Sequence, residues 1–293
     1  MAMNLPTLGG KQLWADVFLH AGWRIQVNVL TRHHRLLDER DVRLAVGSFA
    51  HCHDTFRKLA LEREVRPRSE HLVLLLHGIG RSKDAMAPMA KALREAGYEA
   101  HGLNYPSTMQ SLRDHAMHVE QLLDRVQGAQ QLSVVAHSMG GIVTRMLLAR
   151  DGAWRRRIDV HRVVMIGTPN RGSRLASVLL DNLPGTTSVG GPALTELHTQ
   201  RAHELPPLDV RFGLIAGGRG DARGYNPLLD GDDDSYVSVE ETRLDGAEDH
   251  LVVPQGIHSV LMMQPSVIAA TVRYLDTGSF LVPGSPRPPS APK

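Results

Sequence analysis

The chain has 293 residues, 42% of them hydrophobic and 22% charged, which excludes wholesale disorder and leaves room for one large domain or two small ones. Thirty-three Lys and Arg stand against 31 Asp and Glu, a net +2. That charge is too small for a protein that finds nucleic acid through a basic field, so no nucleic-acid partner is expected. The single cysteine, Cys52, excludes an intrachain disulfide and a cysteine-rich zinc site.

The opening residues lack a basic segment, and Asp16 interrupts their apolar stretch, so no secretory signal is expected and the cytoplasm is the default location. Residues 11–66 carry few turn signals, and Val42, Val46, Phe49, Phe56 and Leu59 recur at roughly helical spacing. A helical N-terminal extension over residues 1–66 is expected, with Trp14, Phe18 and Trp23 as candidate contacts to a membrane surface. His33-His34 and His51-Cys52-His53 are not expected to hold a metal, because side chains two apart on a helix diverge.

From residue 72 the pattern changes. Short apolar runs at 72–76, 132–136, 163–166, 212–216 and 251–253, with a weaker one at 98–105, alternate with helical stretches. Runs apolar on both faces suit a buried parallel sheet. Helices are expected over 84–96, 111–126 and 266–275, and from Met139, where Met139, Ile142, Val143, Met146 and Leu147 make one apolar face. The fold class is therefore α/β, a mostly parallel sheet with helices on both faces, over residues 67–282. The uncharged window 250–272 is long enough to span a bilayer, but Pro254, Gly256, His258 and Pro265 make it strand, loop and helix start. Residues 170–207 break the alternation and read as a lid or cap insertion with short helices over 173–182 and 192–199. The Pro-rich end, 283–293, is expected to be disordered.

Two motifs carry chemistry. Ala136-His137-Ser138-Met139-Gly140-Gly141 takes a buried strand straight into an amphipathic helix. A serine at so sharp a turn has its hydroxyl lifted clear of the sheet, and the positions two before and two after it must be small. His77-Gly78-Ile79-Gly80 follows the first buried strand. A glycine-flanked loop there lets backbone N–H groups approach a carbonyl oxygen that gains charge during acyl transfer. The expected oxyanion donors are the amides of Ile79 and Met139.

These residues, with Gly167-Thr168-Pro169-Asn170-Arg171-Gly172-Ser173, resemble the α/β-hydrolase lipases and esterases, in particular the minimal bacterial triacylglycerol lipases. The resemblance covers residues 72–280 and implies a serine hydrolase whose acid and base follow the serine in the order Asp, His. The acid is expected in the loop after the strand at 212–216. Asp234-Ser235-Tyr236-Val237 aligns best, with Ser235 replacing the family's glycine, and Asp232 and Asp233 stand as alternatives. Asp230, Asp232 and Asp234 also alternate as in a calcium loop, but Ser235 occupies that loop's glycine position. The base is expected to be His258, between the last strand and last helix; His250 precedes that strand and would sit at the wrong end of the sheet. His77 and His137 are expected to brace the loops rather than transfer protons. The implied activity is cleavage of small-molecule or lipid esters through an acyl-serine, with no cofactor or metal. An acyltransferase or polyester depolymerase on the same residues, or a non-catalytic scaffold, are the alternatives.

Overall fold

The computed structural model describes residues 11–183, 185–282 and 284. The Pro-rich end, expected to be disordered, lies outside them apart from Gly284.

The N-terminal extension is mostly sheet, which corrects the expected helical arm. Strands β1 (Trp14–His20), β2 (Trp23–Asn28), β3 (His34–Leu37) and β4 (Arg43–Gly47) form an antiparallel meander, and among the described residues of the extension only α1 (Phe49–Glu62) is a long helix. Trp23, Ile25 and Val27 alternate with Arg24, Gln26 and Asn28, a period of two. The turns are built from residues with local reasons to bend. Ala21 and Gly22 both take positive φ (49° and 83°), as a tight hairpin requires. Asn28 accepts the amides of Leu30 and Thr31, and Asp38 those of Arg40 and Val42.

One face of this meander packs Val17, Phe18, Trp23, Ile25 and Leu36 against Cys52 and Phe56 of α1. Trp14, Phe18 and Trp23, singled out for a membrane surface, are only 9%, 5% and 2% exposed and therefore belong to the interior. The other face is polar yet also buried. Asp16 accepts from Arg24 (3.0 Å), Gln26 (2.7 Å) and the Asn104 amide (2.8 Å), and Gln26 accepts in turn from Arg35.

The second sheet holds β5 (His71–Leu76), β6 (Glu99–Gly102), β7 (Gln131–His137), β8 (Asp159–Ile166), β9 (Phe212–Gly218) and β10 (Asp249–Pro254) in the order β10-β9-β8-β7-β5-β6, every pair parallel. All six apolar runs become strands. Alternate residues feed opposite cores: Leu72, Leu74, Leu132 and Val134 pack with Leu122 and Ile142, while Val73, Leu75, Val135 and Val164 pack with Met89, Leu93 and Tyr274. The covering helices are α2 (Ala87–Glu95), α3 (Leu112–Arg125), α4 (Met139–Leu148) and α7 (Pro265–Thr277); the insertion adds α5 (Arg174–Asn182) and α6 (Thr186–Glu196). Gly191, at φ 70°, interrupts α6, so Pro192 begins its second half.

Strand order reverses between β5 and β7, and a crevice opens beyond the carboxyl ends of two such strands. The loops that leave those two ends are His77–Gly80 and the Ser138 turn.

Candidate active site

Ser138 sits between β7 and α4 with φ 55° and ψ −126°, a conformation a non-glycine residue holds only when its surroundings enforce it. Its amide donates to Ile166 O (2.8 Å), and its carbonyl accepts from the Gly141 amide and the Thr168 hydroxyl (3.0 Å each). A Cβ at Gly140 would stand 2.6 Å from Leu76 O, so the turn closes only with glycine there. The requirement for a small residue two positions after the serine is thus steric, set by the end of β5.

The structure brings Ser138, His258 and Asp234 into one chain of contacts. Ser138 Oγ lies 3.0 Å from His258 Nε2, and His258 Nδ1 lies 2.7 Å from Asp234 Oδ2. A carboxylate accepts only, so Nδ1 carries the proton and Nε2 is left to accept from the serine hydroxyl. Asp234 is fully buried; its Oδ1 accepts the amides of Tyr236 (3.1 Å) and Val237 (2.8 Å), and its carbonyl accepts the His258 amide (2.8 Å). Those contacts fix the acid loop and the histidine loop to each other.

The alternative acids face elsewhere. Asp233 accepts the amides of Tyr225, Asn226 and Ser235, and burial pushes its carboxyl up. Asp232 accepts those of Arg219 and Gly220 at the end of β9. His250 lies on β10 with Nε2 3.4 Å from the Thr242 hydroxyl. No group of three or more His, Cys, Asp or Glu side chains placed to hold a metal occurs among the described residues.

The His77–Gly80 loop runs against Ser138. A Cβ at Gly78 would lie 3.0 Å from Ser138 Cβ and 3.5 Å from its Oγ. Among the described residues, the Ile79 and Met139 amides have no hydrogen-bond acceptor. The loop is braced from behind: His77 Nδ1–H donates to Gly78 O (2.8 Å), the Tyr105 hydroxyl donates to His77 O, and the Gly80 amide donates to the Ser107 hydroxyl (3.0 Å). The His77 and Tyr105 rings stack at 4.1 Å, nearly parallel, and His115 closes on Tyr105 from α3 at 4.9 Å. His137 Nε2–H donates to His258 O (3.0 Å). Both motif histidines therefore brace loops.

This bracing has a consequence for acid stability. Burial pushes His77 down to about 4 and His115 down to about 3, and drives His137 well below its ordinary value. In the unfolded chain each takes a proton near pH 6.5. Below that pH the unfolded state binds more protons than the folded one, so the stability present at neutral pH is lost as pH falls from 6.5 towards 4. For His77 alone the loss approaches about 3 kcal/mol at pH 4. Thermal melts should show Tm falling steadily from pH 7 to 4.5, and His115→Leu should flatten the fall; a Tm constant to pH 5 would contradict this.

Several contacts at the site carry no signal in isolated motifs. The Tyr236 ring stacks on the His258 imidazole (5.3 Å between centroids) and is 54% exposed. Gly167 passes close enough that a Cβ would lie 3.2 Å from both Asp234 Oδ2 and His258 Nδ1. Arg145, the one charged residue of α4, donates to Asn170 O (2.9 Å) and Pro206 O (2.8 Å), while the Asn170 side chain donates to Thr242 O (2.8 Å). The 167–173 segment thus joins the serine turn to the acid loop and the insertion. A lone arginine among apolar helix positions was the one available cue.

Residues 40–182 match a family model described as a domain of unknown function (DUF7379). No curated protein matches the sequence. Among solved structures, a mature lipase from Bacillus licheniformis aligns over 71% of this chain and 91% of its own, at 19% identity and a TM-score of 0.55. A metagenomic carboxyl esterase aligns over 71% of this chain and 76% of its own (15% identity, TM-score 0.54). A phospholipase from Legionella pneumophila does so over 71% and 60% (16% identity, TM-score 0.54). No helix among the described residues is long and apolar enough to cross a membrane.

Proposed function

We propose that this chain, an α/β-hydrolase in fold, hydrolyses carboxylic esters through an acyl-enzyme on Ser138. The observation that carries the reading is the contact chain from Ser138 Oγ through His258 to the buried Asp234, at 3.0 Å and 2.7 Å. His258 Nε2 takes the serine proton as Oγ attacks the ester carbonyl carbon. The carbonyl oxygen gains a negative charge and is met by the Ile79 and Met139 N–H groups. Collapse of the tetrahedral intermediate expels the alkoxide, which receives the proton from His258. Water then repeats the sequence on the acyl-enzyme, releasing the acid and restoring Ser138. Asp234 holds the reactive tautomer and stabilises the imidazolium without itself taking the proton.

Apolar side chains of the histidine loop and of the insertion suit an acyl group of medium length. Ile257, Val260 and Met263 of the histidine loop are exposed, as is Tyr236. In the insertion, Leu175, Val178, Leu179 and Leu194 are half-buried, leaving apolar surface that a bound chain would cover. A series of p-nitrophenyl esters from acetate to palmitate tests the reading. Turnover with an optimum at intermediate length is expected; no turnover at any length overturns it.

A further inference from the structure

Away from Ser138, a cavity of 370 Å³ lies where the N-terminal meander meets β6, the edge strand of the parallel sheet. Its walls bring together five permanent cations from separate elements: Arg24 of β2, Arg66 and Arg68 ahead of β5, Lys83 from the turn before α2, and Arg94 of α2. We propose that this cavity binds the phosphate group of a phosphorylated small molecule or headgroup, and that the bound group ties the meander to the α/β domain.

The local charges are only partly matched by protein carboxylates. Lys83 pairs with Asp41 at 2.5 Å, and Arg24 with Asp16 at 3.0 Å. The wall carboxylates are engaged too: Glu99 holds His101 and the Arg68 amide, Asp84 lies 3.5 Å from Lys83, and Glu39 lies 4.0 Å from Arg40. Arg66 and Arg94 have no carboxylate within ion-pair distance among the described residues, and Arg68 reaches Glu99 only at 3.8 Å. Arg94 spends one donor on Ala100 O (2.9 Å).

Arg24 supplies a second, independent observation. It is 6% exposed, and its Nη1 donates to Asp16 and Gly102 O. Its Nε is buried without a hydrogen-bond partner, Asp41 Oδ1 standing 3.7 Å away. The field of the cluster shows in its neighbours. Arg94 is held below its ordinary value by burial and then by the charge of Arg68, against Glu99 and Glu95. His101 is lowered by burial, with Arg24 and Arg94 adding to that effect against Glu99. A tetrahedral dianion presents three acceptor oxygens and up to twice a carboxylate's charge to several guanidinium groups at once, and the volume suits a phosphate on a small organic body. The inference does not depend on the catalytic reading.

Calorimetry and thermal melts with inorganic phosphate and glucose 6-phosphate, at matched ionic strength, test it on the full chain. Saturable binding and a raised Tm are expected, with affinity weakened about tenfold or more in Arg66→Gln/Arg68→Gln and in Arg94→Gln. Arg66 and Arg68 are both exposed, so the paired variant keeps its fold even if Arg94→Gln destabilises α2. Flotation with phosphatidic acid vesicles, against phosphatidylcholine vesicles, separates the two sources. Retention by phosphatidic acid that the paired variant abolishes marks a lipid headgroup; binding of the soluble ester alone marks a soluble ligand. Absence of saturable binding to any of these probes, or equal binding by wild type and the paired variant, overturns the proposal.

Discussion

Ser138→Ala and His258→Ala are each expected to lower kcat for p-nitrophenyl ester hydrolysis by about 10³-fold or more, and the double variant to fall little further. The two side chains act as one unit, since Oγ is a poor nucleophile unless Nε2, 3.0 Å away, removes its proton. Ser138→Ala leaves the positive-φ turn as strained as before and keeps the backbone contacts to Ile166, Gly141 and Thr168, so melting should change little. KM should also be nearly unchanged, because the acyl-binding surface does not include Oγ. Hydrolysis that persists at the wild-type rate in Ser138→Ala would exclude the acyl-serine route.

The second large effect is expected at Asp234. Asp234→Asn keeps the shape but places an amide against His258 Nδ1, which favours the wrong imidazole tautomer; kcat should drop by roughly 10³- to 10⁴-fold at near-normal KM. Asp233→Asn and Asp232→Asn should act on stability instead, because those carboxylates accept backbone amides of Tyr225, Asn226 and Ser235, and of Arg219 and Gly220. Each removes charge-assisted bonds of about 1.5–3 kcal/mol and should lower Tm while leaving kcat within about tenfold. A larger catalytic loss in Asp232→Asn or Asp233→Asn than in Asp234→Asn would reassign the acid.

How much of this was legible in the sequence follows from where side chains are buried. Strands β5 and β7 to β9 lie between helical layers, so both faces are apolar and runs such as Leu72 to Leu76 stand out. The meander was misread for the opposite reason. Arg24, Gln26 and Arg35 are buried on its polar face through Asp16, and the apparent helical spacing from Val42 to Phe56 joins the β4 segment to the start of α1. Ala21 and Gly22 make a tight hairpin without the Asn-Gly or Asp-Gly pair that usually announces one. At the site, the Ser138 turn was readable because strand, small residues and helix adjoin in sequence. The acid was not resolved among three adjacent aspartates, since which amides face each one depends on the fold of residues 218–238. Tyr236, over the imidazole, had no sequence cue.

Whether Ser138 is an activated nucleophile is decided by peptide mass spectrometry after exposure to a fluorophosphonate. One covalent adduct on Ser138 is expected, formed rapidly by wild type and slowed by at least about 10²-fold in His258→Ala. A folded wild-type protein that stays unlabelled, or that is labelled at another serine, would contradict it.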